Sequence, residues 1–334
     1  MQRYWTLGMV MLLVGCQRGL PTQGGAEVRI PGGSEHFAVQ NIPNTLPVYS
    51  IPPSTRDAGT VAADASVFGV RGDVQEGQRF SSVHLGTSWF LAERKTGAEF
   101  YQDRDGLWGG MASQTGPGPD GAPLGPIAAA PDLAASRRMA DAFLSAHAPT
   151  GLGSAVFYRE NEMGESVSNA LQPGMSESKI TCREFQYKRS IDGLVLHGPA
   201  SQISVFVGPA GKIVGYFSDW PTLIAGGAVE LQGSSAALGG MKARIDHLNS
   251  LLVPGKRILS FRVDKVALGY VGYLNPDGSR DVIPTYAVLG QADHENGPRT
   301  EVIYLTAAPA APIRDPEPPS PADPVQPPPP PLAR

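Results

Sequence analysis

The chain has 334 residues, of which 41% are hydrophobic and 17% are charged, and its net charge is −4. Because the charge is slightly negative and no basic stripe occurs, nucleic acid is not an expected partner. The apolar fraction is sufficient for packed cores, whereas 40 glycines and 32 prolines indicate many turns and unstructured stretches. A chain of this length favours two domains over one.

The N-terminus has the three parts of a secretory signal. A cationic start with Arg3 precedes an apolar run over residues 4–14, and Gly15 stands immediately before Cys16. As a helix this run is about 16 Å long at ~1.5 Å per residue, which is too short for a bilayer core of about 30 Å. We therefore predict residues 1–15 to be a signal peptide that is removed. An ordinary signal peptide with an unmodified cysteine is the alternative.

The sequence Leu13-Val14-Gly15-Cys16 resembles the bacterial lipobox, in which aliphatic and small residues precede a cysteine. The resemblance implies that the Cys16 thiol accepts a diacylglyceryl group and that more than one acyl chain then holds the protein on the membrane. The expected location is the cell envelope. Gln17 follows the cysteine where an inner-membrane lipoprotein often has aspartate, which implies the outer membrane if the organism has two membranes.

Composition divides the rest of the chain into five parts. Residues 16–35 are rich in Gly, Gln and Pro and are predicted to be a flexible tether. Residues 36–111 are predicted to form an N-terminal α+β domain, and the Gly- and Pro-rich stretch 112–131 a linker. Residues 132–308 are predicted to form a C-terminal α+β domain with two helix-plus-sheet units, and residues 309–334 a disordered proline-rich tail.

The tail contains 12 prolines in 26 residues and includes the run Pro327–Pro331. Proline fixes φ and lacks a backbone donor, so this segment cannot pair in a sheet and favours polyproline II or disorder. Three roles stay open for it. It is a solvated tail, a ligand for an aromatic-lined groove, or an arm that reaches the cell wall.

In chain order, the pattern predicts a helix followed by antiparallel strands, roughly three times. The N-terminal part has strand 48–51, helix 54–70 with Ser54 as N-cap, strand 82–93, a turn at 95–97 and strand 98–102. The next part has a helix capped by Asp132, strands 180–190 and 194–197 around Asp192-Gly193, and strands 202–207 and 212–217. The last part has helix 234–252 and strands 258–271, 282–289 and 301–306.

This order predicts an α+β fold in which separate antiparallel sheets each pack on a helix. The stretch 187–215 resembles the cystatin-like modules of PepSY and thermolysin-propeptide type. The stretches 268–270 and 283–286 resemble the later strands of the YycH/YycI-type regulators of sensor kinases. The resemblance implies cystatin-like or PepSY-like repeats that act by binding, through inhibition of a protease or contact with a kinase.

No catalytic motif is found. The chain lacks His-Glu-x-x-His, Gly-x-Ser-x-Gly and a phosphate-binding loop, so we expect no metal and no cofactor. Cys182 has no partner if Cys16 is acylated, and a lone cysteine in a strand is most often a small buried hydrophobe. A low-pKa thiol beside a cation is the alternative reading of Cys182. Trp89, Trp108 and Trp220 are the candidate interaction residues, because an aromatic side chain can anchor a partner.

The sequence therefore predicts a lipid-anchored, non-enzymatic envelope protein that binds or regulates another envelope protein. Two alternatives stay open. One is a hydrolase whose site lies near Asp192, His197 and Ser201, which cluster around one turn. The other is a structural link between membrane and wall, made by the tail.

Overall fold

A computed structural model describes residues 26–107, 129–147, 155–168, 176–253 and 255–309. The predicted signal peptide, Cys16, Trp108, most of the predicted linker and the tail lie outside these residues. Within the described residues, fifteen strands form one mixed sheet. Strand accounts for 49% and helix for 21%.

The strands vary in length from two to seventeen residues. They are β1 Glu27–Arg29, β2 Thr45–Ile51, β3 Gln75–Glu76, β4 Phe80–Leu85, β5 Ser88–Glu93, β6 Glu99–Asp103, β7 Ala155–Ser168, β8 Ser176–Ile191, β9 Leu194–His197, β10 Gln202–Val207, β11 Ile213–Asp219, β12 Ile224–Glu230, β13 Ile258–Leu274, β14 Arg280–His294 and β15 Gly297–Thr306.

The α-helices of the described residues are short: α1 Ala58–Val67, α2 Arg104–Leu107, α3 Leu133–His147, α4 Ser234–Gly239 and α5 Met241–Leu251, with 3-10 turns at Ser34–Phe37 and Pro209–Gly211. The N-cap of α1 is Asp57, whose carboxylate accepts a hydrogen bond from the Thr60 amide at 2.7 Å, so the prediction of Ser54 as N-cap was wrong. Asp132 does cap α3, accepting from the Ala135 amide at 2.7 Å. The predicted single helix over 234–252 is divided at Gly240.

The strands are ordered β12-β2-β14-β13-β9-β8-β10-β11-β6-β5-β4-β3, with β1 beside β13, β15 beside β14 and β7 beside β8. Most pairs are antiparallel, but β13 pairs in parallel with both β1 and β9. The hairpin between β8 and β9 turns at Asp192 and Gly193, whose φ values are 51° and 82°. Such positive values are those of the turn that an Asp-Gly pair predicts.

The predicted α+β fold of separate, helix-packed, cystatin-like repeats is wrong. Strand β6 pairs with β11, placing Phe100 opposite Phe217, and β2 pairs with both β12 and β14. Sheet pairing therefore crosses the predicted boundary at 112–131 and joins strands of both predicted domains. The physical reason is that hydrophobic alternation and turn residues set each strand and hairpin, whereas they do not determine which distant strands become neighbours.

The sheet has two halves: the first contains β3–β8, β10 and β11, and the second contains β1, β2 and β12–β15, with β9 between them. Helices cover one face of each half. In the first half, α1 and α3 insert Val61, Ala65, Ala140 and Leu144 into a core against β4, β5, β6, β8, β10 and β11. In the second half, α4 and α5 insert Leu238, Met241 and Ile245 against β13, β14 and β15. A third, smaller core around Leu196 and Tyr270 lies where the halves meet.

Strand β9 joins the two halves, because it pairs with β8 on one side and with β13 on the other. Two glycines of β13 allow this close approach. A Cβ at Gly269 would lie 2.6 Å from the Val195 carbonyl oxygen, and a Cβ at Gly272 would lie 2.4 Å from the Pro199 carbonyl oxygen. Both positions therefore need glycine.

Candidate functional site

The first half of the sheet has a second face that carries aromatic side chains. Residues directly opposite each other in register project from the same face of a sheet. The pairing of β4, β5, β6, β11 and β10 therefore places six apolar side chains on the face away from the helices. We call this set the open face: Phe80, Trp89, Leu91, Phe100, Phe206 and Phe217. None of the six belongs to the cores beneath the helices.

Three rings of the open face, those of Phe80, Phe100 and Phe217, form a row of contacts. The rings of Phe100 and Phe217 are 4.9 Å apart, and those of Phe80 and Phe100 are 6.2 Å apart at 82°. Phe206 lies over Gly215, because a Cβ at Gly215 would meet its ring at 3.0 Å. All of these aromatic side chains are half-buried, whereas their neighbours on the opposite face are fully buried under α1 and α3.

A pocket of about 460 Å³ opens on the helix-covered side of the same half. Its walls come from the loop between β2 and α1, from α1, from the turn between β5 and β6, from the end of α3, and from β11 with the residues after it. Three prolines stand in its wall: Pro52, Pro53 and Pro221. These segments are far apart in sequence, so only the fold brings them together.

One wall of the pocket is aromatic. The Phe68 ring lies 5.3 Å from that of Tyr216 and 5.7 Å from that of Phe143. The Tyr216 and Phe143 rings are 5.6 Å apart and nearly perpendicular. Burial raises the pKa of the Tyr216 hydroxyl, and nearby Glu99 adds to the rise, so this tyrosine is neutral and serves as an apolar surface with a polar tip.

The other wall of the pocket is charged. The Arg56 guanidinium pairs with Asp64 at 2.9 Å and also with Glu99. Burial raises the pKa of both carboxyls, and Arg56 offsets part of each rise. The Asp64 side chain is 33% exposed and that of Glu99 17% exposed, so Asp64 is the carboxylate that a ligand reaches more easily.

Trp220 also lines the pocket. It is 5% exposed and lies under the Arg189 guanidinium at 4.4 Å from the ring centroid. Within the described ranges, Trp220 Nε1 and Arg189 Nη1 have no hydrogen-bond acceptor. Arg280 is fully buried and donates to Asp219 at 2.5 Å and to the Thr96 carbonyl at 2.8 Å.

The structure does not connect the three residues of the predicted hydrolase site. Asp192 is exposed in its turn, and the Ser201 hydroxyl is fully buried and donates to the Gly198 carbonyl at 2.5 Å. No hydrogen bond joins any two of Asp192, His197 and Ser201, all of which are described. His197 instead lies 5.6 Å from the Tyr304 ring.

Lys188 is the residue that the structure places beside Ser201. Its ammonium donates to the Ser201 hydroxyl at 3.4 Å and to the Gln202 side chain at 3.0 Å. Burial lowers the pKa of Lys188 to about 8, and Arg159 lowers it further while Asp219 opposes the shift. Burial also lowers the pKa of His197, with a smaller contribution from Lys188. A lysine with a lowered pKa can accept a proton near neutral pH. The Ser201 oxygen, however, is buried, so a substrate cannot reach it.

Cys182 is fully buried, and burial raises its thiol pKa to about 12. This agrees with the small-hydrophobe reading and disagrees with a low-pKa thiol. Within the described residues, no group of three or more His, Cys, Asp or Glu side chains is placed to hold a metal ion. In that part of the chain, no helix is long and apolar enough to cross a membrane.

Of the three predicted interaction residues, Trp89 lies on the open face, Trp220 lies in the pocket wall, and Trp108 lies outside the described residues. Sequence reasoning missed the other aromatic residues of the open face. A signal was present, because strands such as Gln202–Val207 and Ile213–Asp219 carry apolar residues on both faces. The pocket left no such signal, since its residues come from five separate segments.

No protein-family model matches the chain, and no curated protein matches it significantly. One solved structure that it resembles is an uncharacterized protein from Eubacterium rectale ATCC 33656. The TM-score is 0.46 at 9% sequence identity, over 85% of this chain and 87% of that chain.

Proposed function

We propose that this chain is a lipid-anchored envelope protein with a non-enzymatic binding or regulatory role, and that the open face binds another envelope protein. The observation that carries the proposal is the row of half-buried aromatic side chains on a sheet face opposite the helices. Apolar side chains that are grouped on one face and remain partly exposed mark interaction sites in soluble domains.

The chemistry of the open face indicates an apolar partner surface. Aromatic residues are enriched at protein interfaces, where they supply a large contact area and lose few rotamers. Removing their remaining apolar area from water contributes roughly 25 cal/mol per Å² before the cost of association. Arg79 lies 5.0 Å from the Phe80 ring centroid and pairs with Glu93 at 3.0 Å, so these two charges compensate each other at one end of the face. At the other end, Glu184 stands opposite Phe206 in the register of β8 and β10.

A lipid on Cys16 would support such binding. The described body begins at Ala26, so about ten residues of the predicted tether separate it from Cys16. A short flexible linker keeps the body close to the membrane surface and raises its effective concentration towards a partner in that membrane.

Photocrosslinking in intact envelopes tests the open face. A photoreactive amino acid at position 89 should give a discrete adduct, and the additional change Phe217→Ser should remove it. The same amino acid at position 259 is the control, because Leu259 is 54% exposed on β13, away from the open face. Equal adducts from both positions, or an adduct that survives Phe217→Ser, would contradict the proposal.

The anchor is tested separately by Cys16→Ser. This change removes the nucleophile for lipid transfer, so the variant should remain uncut or be released from membranes. Fractionation at high salt compares the two forms. A variant that still sediments with membranes under those conditions would show that lipid on Cys16 is not the anchor.

A further inference from the structure

We infer that the pocket between Arg56 and Trp220 binds the proline-rich segment Val325–Arg334 of this same chain. This inference concerns the helix-covered side of the sheet and is independent of the open face. The two sites are separated by the sheet itself, since Tyr216 and Phe217 are neighbours on β11 with opposite directions.

The pocket offers the surfaces that a polyproline II segment needs. Proline-rich segments dock in grooves lined by aromatic side chains, and their preformed helix loses little entropy on binding. Phe68 and Phe143 supply a partly exposed aromatic lining, backed by Tyr216 and Trp220, which are 4% and 5% exposed. Pro52, Pro53 and Pro221 line the same pocket. The segment contains five consecutive prolines, Pro327–Pro331, followed by Leu332.

Charge complementarity supports the same occupant. The polar wall holds two carboxylates, Asp64 and Glu99, but one guanidinium, Arg56, so an ionised wall is net negative. The segment carries one charged side chain, Arg334, three residues after the proline run. A guanidinium at that position fits the partly exposed Asp64 carboxylate, while the prolines and Leu332 lie against the aromatic wall.

The chain can reach this pocket. The described part ends at Pro309, and Ala307, just before it, is held beside β14. The Ala307 amide donates to the Pro284 carbonyl at 3.2 Å, and the Ala307 carbonyl accepts from the Gln232 amide at 2.9 Å. Along β14, Pro284 is four residues from Arg280, or about 14 Å at ~3.4 Å per residue. Arg280 stands opposite Ile51, which lines the pocket. The residues 310–326 span about 53 Å as polyproline II, at ~3.1 Å each, which exceeds the distance required.

Peptide competition on the full chain tests the inference. A labelled peptide with the sequence of Val325–Arg334 is titrated into the wild-type chain and into a full-length variant in which Pro327–Pro331 are all glycine. The peptide should bind the glycine variant at least tenfold more tightly, because the wild-type tail competes for the pocket at high effective concentration. A peptide carrying Arg334→Ala should bind the variant about fivefold more weakly, as expected for one partly exposed ion pair.

Two further variants locate the binding site. In the glycine-variant background, Asp64→Asn should weaken peptide binding about fivefold, whereas Phe217→Ser on the open face should leave it unchanged. The inference requires that competition by the wild-type tail be the same at all protein concentrations, because the segment binds within its own chain. Competition that grows with protein concentration would contradict it, because the segment would then come from a second copy. Melting curves verify that each variant is folded.

Several outcomes would overturn the inference. The first is an absence of saturable peptide binding to the glycine variant. The second is equal peptide affinity for the wild-type chain and the glycine variant. The third is a peptide affinity that Asp64→Asn leaves unchanged. Equally tight binding of a basic peptide without prolines would also overturn it, because the pocket would then recognise charge alone. None of these results bears on the photocrosslinking experiment, so this inference and the proposed function can fail separately.

Discussion

At the scale of single residues, the most consequential group is the buried pair of Arg280 and Asp219. Arg280 lies on β14 in the second half of the sheet, and both of its acceptors, Asp219 and the Thr96 carbonyl, belong to the first half. Asp219 also accepts from the Ala200 amide at 2.7 Å. One carboxylate therefore ties three segments together where the halves meet.

We expect Asp219→Ala to destabilise the protein by about 3–5 kcal/mol, because it leaves the fully buried Arg280 charge without its counterion. The matched control is Asp264→Ala, which removes the partner of Arg262 in a pair with 56% and 34% exposed side chains. That change should cost less than about 1 kcal/mol. Urea unfolding measures the free energy of unfolding of both variants. Similar losses would show that the Arg280–Asp219 pair contributes no more than an exposed pair.

The pKa of Lys188 gives a prediction about pH. Burial lowers its pKa to about 8 in the folded protein, while an unfolded lysine titrates near 10.5. Between these values the unfolded chain binds more protons, so stability should rise with pH over that window. Below pH 8 both states are charged and the folded state carries the full penalty of burial.

Lys188→Met should therefore be more stable than wild type at pH 7, and the difference should shrink as pH rises from 8 to 10.5. Unfolding free energies at several pH values measure this, with Lys265→Met as the control on an exposed position of β13. A difference that is constant with pH would mean that the ammonium of Lys188 is not penalised by burial.

At the scale of elements, strand β15 shows how alternation creates one buried face. Ile303 and Leu305 are 3% and 6% exposed and enter the core beneath α4 and α5, whereas Val302 is 42% exposed. The strand is the last described element before the tail, and it pairs along its whole length with β14. Consecutive apolar side chains of β15 are therefore alternately buried in the core and exposed to solvent.

Ile303→Ala should cost about 2–5 kcal/mol, because it removes buried methyl groups and leaves a cavity. Val302→Ala, a matched change on the exposed side of the same strand, should stay within about 0.5 kcal/mol. Thermal melting compares the two variants. A larger loss for Val302→Ala than for Ile303→Ala would show that the register of β15 against β14 differs by one residue from that described.

At the scale of the whole molecule, the two halves are held together at β9. The close approach of β13 to β9 requires glycine at Gly269 and Gly272, and Leu196 at the centre of β9 is fully buried. Because the halves otherwise have separate cores, this junction decides whether they unfold together.

Gly272→Ala should loosen the junction, because its Cβ would lie 2.4 Å from the Pro199 carbonyl oxygen. We expect unfolding in two steps, with tryptophan fluorescence reporting the first half, which contains Trp89 and Trp220, and far-ultraviolet circular dichroism reporting both halves. The control is Gly227→Ala, where a Cβ would meet nothing within 4 Å. Coincident curves for the Gly272 variant would show that the junction does not couple the halves.

The sequence by itself determined the local structure of this protein. The Asp192-Gly193 hairpin, the Asp132 cap and most strands were predicted, because each depends on residues within a few positions of one another. The single strand predicted over 82–93 is instead the hairpin of β4 and β5, and β1, β3, β7 and β12 were not predicted. The helix start at Asp57 was missed by a few residues, since Ser54 and Asp57 are both good caps and only packing selects one.

Only the tertiary structure decided which strands are neighbours. The pairing of β6 with β11 and of β9 with β13 joins segments more than seventy residues apart, and it turned three expected sheets into one. The open face and the pocket both depend on these long-range pairings. Local propensity does not encode them, because register and partner choice are set by the burial of whole faces across the folded chain.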